Sequence, residues 1–428
     1  MTNGADLFNK LPEYKGGEKD IILKDGTGLE IENENGSENE SYITRVTQTN
    51  RADFDRYCGE LEGGGFKCGF ENVTESLVCR EYIGGEFIVY TYHHIPKGIT
   101  TIIIDRTSVA LSEFSYGDDM PIRDDTELMQ FGLYYSYGVK NVTCDCGMMY
   151  ALRLHDNSLM IIDGGEHEQA TDEAVEEFIA RAREMTQTPE GEKIVISAWF
   201  CTHNHDDHME FFLKLAEYHS DIFDLRRIMF NFPSKSVITY VNPCTDIMKE
   251  RLSRHYPKAL FLKPHTGMKF NLSNAEIEVI TTNEDLVFDP YSEEKRLHSH
   301  NESSTVVRIS FDGSSILLLG DCEERNGDFM RATYSELSCT FLQAAHHCIN
   351  EVENIYSFVK ADTVLIPECK YMIELNYRHN FDVLCKYYDI RKFYLAGECT
   401  RIFRIKDSKT EDIKVYPIAG YKFDGSEW

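Results

Sequence analysis

The sequence predicts a layered α/β domain over residues 138–428 behind a smaller α+β unit over residues 1–137. Three observations carry this. From about Gly138 onward, strand-like and helix-like runs alternate to the C-terminus, which is the pattern of α/β layers. Within that region Ile194–Cys201 is almost wholly apolar, as a strand buried on both faces must be. Ahead of it, one amphipathic helical stretch and three strand-like runs between glycine turns describe a helix over a small antiparallel meander.

The elements follow in order. The first ~45 residues are rich in Gly, Asn, Glu and Lys, include the acidic stretch Leu29–Glu40, and read as irregular for want of apolar periodicity. Phe54, Tyr57, Cys58 and Leu61 recur at i, i+3, i+4, i+7, one face of a helix that Gly63, Gly64 and Gly65 end. Leu77–Tyr82, Glu86–Tyr92 and Thr100–Asp105 are the three runs of the meander. Met148–Leu154 and Ser158–Ile162 pair through the polar turn His155-Asp156-Asn157. A helix follows with Val175, Phe178, Ile179, Ala182 and Met185 on one face, and after Ile194–Cys201 another with Phe211, Phe212, Leu215 and Tyr218. Ile228–Phe232, Ala275–Thr282, Thr305–Phe311, Ser315–Leu319, Thr363–Pro367 and Phe393–Ala396 are further strands, and Asp312-Gly313 marks a tight hairpin between two of them.

Composition narrows the function. The 428 residues carry 44 Lys and Arg against 72 Asp and Glu, a net charge of −28, so most of the surface repels a phosphate backbone, which argues against a general nucleic-acid binder. A local cleft lined by metal could still take a small phosphate. With 42 % apolar and 12 % aromatic residues the chain is too rich in core-forming side chains for disorder. No run approaches ~18 apolar residues, so no membrane-spanning helix is expected. Residues 1–28 lack the basic cluster and apolar stretch of an export signal, and thirteen scattered cysteines read as free thiols of a reducing cytoplasm. Cys144 and Cys146 form a CxC without a second pair at zinc-ribbon spacing, which argues against a structural zinc knuckle.

One stretch carries chemistry. His203-x-His205-x-Asp207-His208 sets three imidazoles and a carboxylate into six positions directly after a buried strand, where the chain turns and residues two apart can converge on one point. Borderline-soft divalent cations favour that mixture of ligands. A polar loop capping the next helix would need only Asp206 or Asp207.

This stretch resembles the signature motif of the metallo-β-lactamase superfamily, and the resemblance continues in order along residues 138–428. Ile162-Asp163-Gly164-Gly165, Leu319-Gly320-Asp321 and Ala345-His346-His347 stand where that superfamily has its strand-end aspartate, its metal-bridging aspartate and its last histidine. The resemblance implies an αββα four-layer sandwich holding two divalent metals, with zinc expected and manganese the other option. It places His203, His205 and His300 on one ion, and Asp207, His208 and one of His346 or His347 on the other, His346 being favoured. Asp321 would bridge the two and Asp163 would hold a ligand imidazole from behind.

In motif style the chain is similar to the soluble domain of the competence DNA-uptake proteins. It has Asn301-x-x-Ser304, then Gly320-Asp321, then His346-His347, with Cys348 where those domains have glycine. The resemblance implies a hydrolase in which Asp207 and Asp321 take part in catalysis, acting on a phosphodiester. The acidity of the chain points to a small or short one. Hydrolysis of lactones, thioesters or β-lactams on the same metals is the rival chemistry. A binding protein with a structural or degenerate metal site is the non-catalytic alternative. Assembly as a homo-oligomer is compatible with every one of these readings. A two-iron oxidoreductase would carry a carboxylate at His205. His93-His94, Cys322, Glu323 and Glu324 read as structural, while Glu398 and His379 are candidates for the pocket rim.

Overall fold

Period-two alternation sorts the central strands into faces. In Met149–Arg153, Tyr150 and Leu152 enter one core cluster while Met149 and Ala151 enter another. In Leu159–Asp163, Met160 and Ile162 part from Leu159 and Ile161 in the same way. These side chains point to opposite faces of one sheet because successive Cβ atoms alternate. A second sheet repeats the division, with Ile316 and Leu318 on one side and Leu317 and Leu319 on the other. The inward faces of the two sheets share one core. The outward faces bury Phe178, Phe211, Phe212 and Leu252 of one set of helices, and Met330, Ile355, Phe381 and Leu384 of another. The layers therefore run helix, sheet, sheet, helix, the αββα sandwich that the resemblance implies.

The computed structural model describes residues 4–19, 23–24, 41–117, 121–133, 147–233, 245–287, 297–397 and 399–418. The acidic stretch Leu29–Glu40, Cys144, Cys146 and Glu398 fall outside the described residues. All ten described cysteines are free thiols. Among the described residues no helix is long and apolar enough to cross a membrane.

In the first sheet Ile194–Cys201 lies between Leu159–Asp163 and Arg227–Phe230, parallel to both. In the second, Ser314–Leu318, Leu337–Gln343 and Val359–Ile366 run parallel to one another. The Asp312-Gly313 hairpin forms as expected: Phe311 faces Ser314, and both loop residues have positive φ, 46° and 74°. Several strands were not anticipated, among them Tyr42–Thr47 at the end of the stretch read as irregular, Lys67–Val73, Thr126–Gln130, Lys269–Leu272, Cys399–Lys406 and Lys409–Pro417. Two of them, Lys67–Val73 and Lys409–Pro417, are largely exposed sheet-edge strands. Thr126–Gln130 pairs with Met149–Arg153, so the larger sheet recruits a strand from before residue 138. Tyr218, expected on the buried helix face, is 74 % exposed, because its helix ends there and the chain turns away.

The N-terminal sheet contains the expected meander, with Phe54, Tyr57, Cys58 and Leu61 of the helix Arg51–Gly63 packed on one face. Its other face, through Ile43, Tyr90, Tyr92 and Ile103, joins the core between the two sheets of the sandwich. His93 and His94 are buried structural residues there, as expected.

The seam between the units is polar and buried. His265 sits between two carboxylates, Nε2 at 3.1 Å from Asp105 and Nδ1 at 3.0 Å from Glu284, so both ring nitrogens donate and the ring is cationic. Burial opposes that charge, but Glu284 and Asp105 outweigh it and hold the imidazole up at about 9. A folded-state value raised above the ordinary 6.5 contributes stability that is complete below about pH 6.5 and is lost as the pH rises through about 9. The difference in thermal midpoint between the wild type and His265→Gln should therefore shrink between pH 6.5 and 9.5. A difference that stays constant across that range would show that the imidazole is neutral in the fold.

Candidate metal centre

Ile194–Cys201 ends at a sharp turn, and that turn presents the signature side chains. His205 leads into the single turn Asp206–His208, and the buried Cys201 thiol donates to the His203 carbonyl at 3.3 Å, fixing the loop from beneath. Across the inter-sheet core Gly320, at φ 57°, turns the end of Ser314–Leu318 back on itself. A Cβ at Gly320 would lie 2.8 Å from Ser304 Oγ and 2.9 Å from Thr202 Oγ1, so only glycine lets the two loops approach this closely. Gln343 clamps the turn, its Oε1 accepting from the Leu319 and Gly320 amides at 2.8 and 2.7 Å, and Ser304 Oγ accepts the Asp321 amide at 2.9 Å.

These loops bring Asp207, His208, Asp321 and His347 together, with one ligand atom from each within 4.8 Å of all the others. His208 Nε2 is 3.1 Å from His347 Nε2 and 3.0 Å from Asp321 Oδ1, and His347 Nε2 is 2.9 Å from Asp207 Oδ2. A second group, His203, His205 and Asp321, meets the same criterion, so Asp321 belongs to both. His203 Nε2 lies 3.1 Å from His205 Nδ1 and 3.7 Å from Asp321 Oδ2.

The tautomers show what the first group needs. His347 Nδ1 must donate to the Pro367 carbonyl at 2.8 Å, and His208 Nδ1 donates to Asp163 Oδ2 at 2.7 Å. Each neutral ring therefore turns an Nε2 lone pair inward, toward the other ring and two carboxylates. Asp321 Oδ1 is buried there and accepts no hydrogen bond. Four electron-rich atoms facing one another require positive charge between them. Protons can supply some of it: burial opposes charge on both rings, yet Asp321 and Asp207 push His347 up to about 10 and His208 well above the usual imidazole range. Burial and the neighbouring His208 drive His203 well below that range, leaving its nitrogen a lone-pair donor. Imidazole nitrogens and carboxylates in two groups with one shared aspartate suit a dinuclear divalent site.

Asp163 supports this from behind, as expected. Its carboxylate accepts the His208 ring, the Thr202 amide at 2.6 Å and the Thr202 hydroxyl at 2.8 Å, while its backbone sits at φ 55°. Left-handed backbone recurs at His346, His347 and Cys348, with φ of 47°, 50° and 65°. Such residues cost roughly 1–3 kcal/mol each and persist where surrounding contacts over-determine them. Here the His346 amide donates to the Gly320 carbonyl and the Ala345 amide to Tyr356 Oη, both at 3.1 Å. Cys348 thus adopts the backbone that glycine would, and its substitution leaves the His347 ring in place.

Two expectations are corrected by placement. The sequence favoured His346, but His347 is the one in the cluster, because the left-handed turn and the Pro367 carbonyl direct its ring inward. His346 is 18 % exposed, 3.8 Å from Asp321 Oδ2 and 3.2 Å from Asn301 Nδ2, and lies outside both groups. His300 is also outside them. Its Nδ1 donates to Asn204 Oδ1 at 2.7 Å, its ring centre is 5.4 Å from that of His205, and burial followed by the His205 charge lowers it to about 4.

The remaining candidates lie elsewhere. His379 is an exposed side chain paired with Glu351. Cys322 is buried, and burial followed by Asp321 pushes its thiol well above the usual range. Glu324 opens the helix Glu324–Thr333, and Glu323 stands one position earlier as its N-cap, both in structural roles. Thr202, Asn204, Gln343 and the Pro367 carbonyl were not anticipated. Thr202 and Asn204 flank His203 in the chain, and that adjacency was the available signal; nothing near Gln343 or Pro367 marks them.

No protein-family profile matches the chain, and no curated protein does. Among solved structures it is similar to CmlA, a diiron beta-hydroxylase from Streptomyces venezuelae, at 12 % identity over 75 % of this chain and 70 % of that one, with a TM-score of 0.36. It is also similar to Zn(2+)-bound PqqB from Methylobacterium extorquens, at 8 % identity over 63 % of this chain and 97 % of that one, with a TM-score of 0.37. The short form of human tRNase Z matches at 12 % identity over 68 % of this chain and 100 % of that one, with a TM-score of 0.29. Overlaps this loose say nothing about the chemistry of the site; its own groups do.

Proposed function

We infer that this chain is a metal-dependent hydrolase of a small or short phosphodiester, with two divalent ions, zinc in the first instance and manganese as the alternative. The observation that carries the reading is the sharing of Asp321 between two ligand groups. His203 and His205 would hold one ion, and Asp207, His208 and His347 the other. Two such dications, when bound, make hydroxide available near neutral pH and offset negative charge on the attacked oxygen.

The protein's own groups do the rest. Asp163 keeps His208 in the tautomer that turns Nε2 inward, and the Pro367 carbonyl does the same for His347. Asp207 has 22 % of its side chain exposed and so reaches the open side of the site, where its carboxylate can take the proton of the attacking water. His346, whose Nε2 lies 3.8 Å from Asp321 Oδ2, and Asn301 beside it would offer hydrogen-bonding groups to the substrate. The preference for a phosphodiester rests on the Asn301-x-x-Ser304, Gly320-Asp321 and His346-His347 pattern, and the choice of a short substrate on the charge of −28.

The experiment is turnover of bis(p-nitrophenyl) phosphate beside a panel of lactones, with metal-depleted protein and with protein reloaded with zinc or manganese. Phosphodiester turnover that appears only on reloading is expected. Lactone turnover alone would replace the substrate class. Fewer than one ion bound per chain after reloading would replace catalysis with a binding role.

A further inference from the structure

All five residues of the short helix Asn283–Val287 are buried, including two adjacent carboxylates, Glu284 and Asp285. Neither is a candidate ligand, and the reaction gives them no task. Adjacent buried carboxylates are tolerated only when each is fully hydrogen-bonded. Asp285 accepts from Tyr92 Oη at 3.0 Å, His94 Nε2 at 3.2 Å and Thr281 Oγ1 at 2.9 Å, and also from the Thr266 hydroxyl. Glu284 accepts from His265 Nδ1 at 3.0 Å, Asn231 Nδ2 at 3.1 Å and Thr282 Oγ1 at 3.2 Å, while its backbone carbonyl takes Arg45 Nη2 at 3.0 Å. Tyr92, His94 and Arg45 belong to the N-terminal sheet, and the other partners to the sandwich. The helix is therefore held from both units at once.

Its far end leads to the metal centre. The Leu286 carbonyl accepts Arg325 Nη2 at 3.2 Å, and Nη1 of the same guanidinium pairs with Glu302 Oε2 at 2.7 Å. Glu302 is buried and also accepts the His298 amide at 2.7 Å, while its backbone carbonyl takes Asn326 Nδ2 at 3.0 Å. It directly follows His300 and Asn301, the residues that touch Asn204 and His346.

We propose that Asn283–Val287 is a brace through which the N-terminal sheet positions the site loop 297–304, with Arg325 and Glu302 as the positioning pair. On this reading the N-terminal unit is part of the support of the site. The rival is that it only adds stability to the whole.

The two differ in where a small cut is felt. Tyr92→Phe removes one hydroxyl from Asp285. Tyr14→Phe removes a hydroxyl of the same unit that bonds Thr49 and Thr100, none of which touches the brace. Backbone hydrogen exchange in the full-length protein, read beside the thermal midpoint, separates them. Loss of one hydrogen bond should speed exchange across residues 297–304 roughly fivefold in Tyr92→Phe. In Tyr14→Phe it should leave that loop at the wild-type rate. Equal acceleration in both variants, or none in Tyr92→Phe, overturns the proposal. A second pair serves if the first proves unstable: Arg325→Met should free the loop and Arg325→Lys should restore part of its protection, whereas wild-type exchange in Arg325→Met overturns it. Exchange is read without substrate, so the brace stands or falls independently of the hydrolase reading.

Discussion

Replacing Asp321 with alanine is expected to abolish turnover and to lower bound metal at both positions, the largest effect of any single substitution in this chain. The reason is its double membership. Its Oδ1 lies 3.0 Å from His208 Nε2, and its Oδ2 lies 3.7 Å from His203 Nε2, so one side chain faces both imidazole groups. It is also the source of much of the site's negative field: burial opposes ionisation, but His208, His347 and His346 hold its carboxyl well below the usual range. Truncation leaves the histidines with no shared anion between them. Asp321→Asn separates charge from shape, because it keeps the size and the backbone bond to Ser304 while removing the anion; metal loss in both variants assigns the effect to charge. Metal content by elemental analysis, measured with turnover, is the check. Full activity in a metal-depleted Asp321→Ala protein would refute the catalytic reading outright.

How far such a site is legible in the chain depends on what made each residue stand out. His203, His205, Asp207 and His208 are visible because they crowd into one turn after a strand whose apolarity is itself a signal. Asp163 and Asp321 are visible because each is next to a glycine at the end of an apolar run. The choice between His346 and His347 is not legible, since it is decided by three successive left-handed residues and a carbonyl twenty positions away. Sequence spacing carries no information about φ at non-glycine residues. His300 misled for the opposite reason: its spacing to Ser304 fits a ligand, but its ring is engaged by Asn204 across the site. The fold shows the same division. Central strands such as Ile194–Cys201 declare themselves by burial on both faces, whereas the strand Lys409–Pro417, mostly exposed and rich in charged side chains of both signs, has the composition of a loop. The buried seam of Asp105, His265, Glu284 and Asp285 was invisible, because charged residues scattered over 180 positions read as surface until the chain is folded.

Asp163→Asn is expected to weaken metal binding by roughly 10–100-fold, the scale seen when a group that orients a ligand imidazole is altered. The carboxylate accepts three donors: His208 Nδ1–H, the Thr202 amide and the Thr202 hydroxyl. Asparagine offers one acceptor oxygen and one donor amide in the same volume. The Thr202 amide cannot reverse its polarity, so it retains the oxygen, and the new NH2 is left facing the imidazole. The ring answers by accepting at Nδ1 and moving its proton to Nε2, the nitrogen that points at His347 and Asp321. A protonated Nε2 has no lone pair to offer a cation, so the substitution disables a ligand without touching it. Thr202→Val separates the two ions: it leaves the His208 tautomer intact but removes the hydroxyl that meets His203 Nδ1 at 3.1 Å, so any loss should fall on the ion at His203 and His205. Competition with a chelator measures both variants against the wild type. Wild-type affinity in Asp163→Asn would mean that His208 does not bind through Nε2, and the second ion site would have to be redrawn around Asp207, His347 and Asp321 alone.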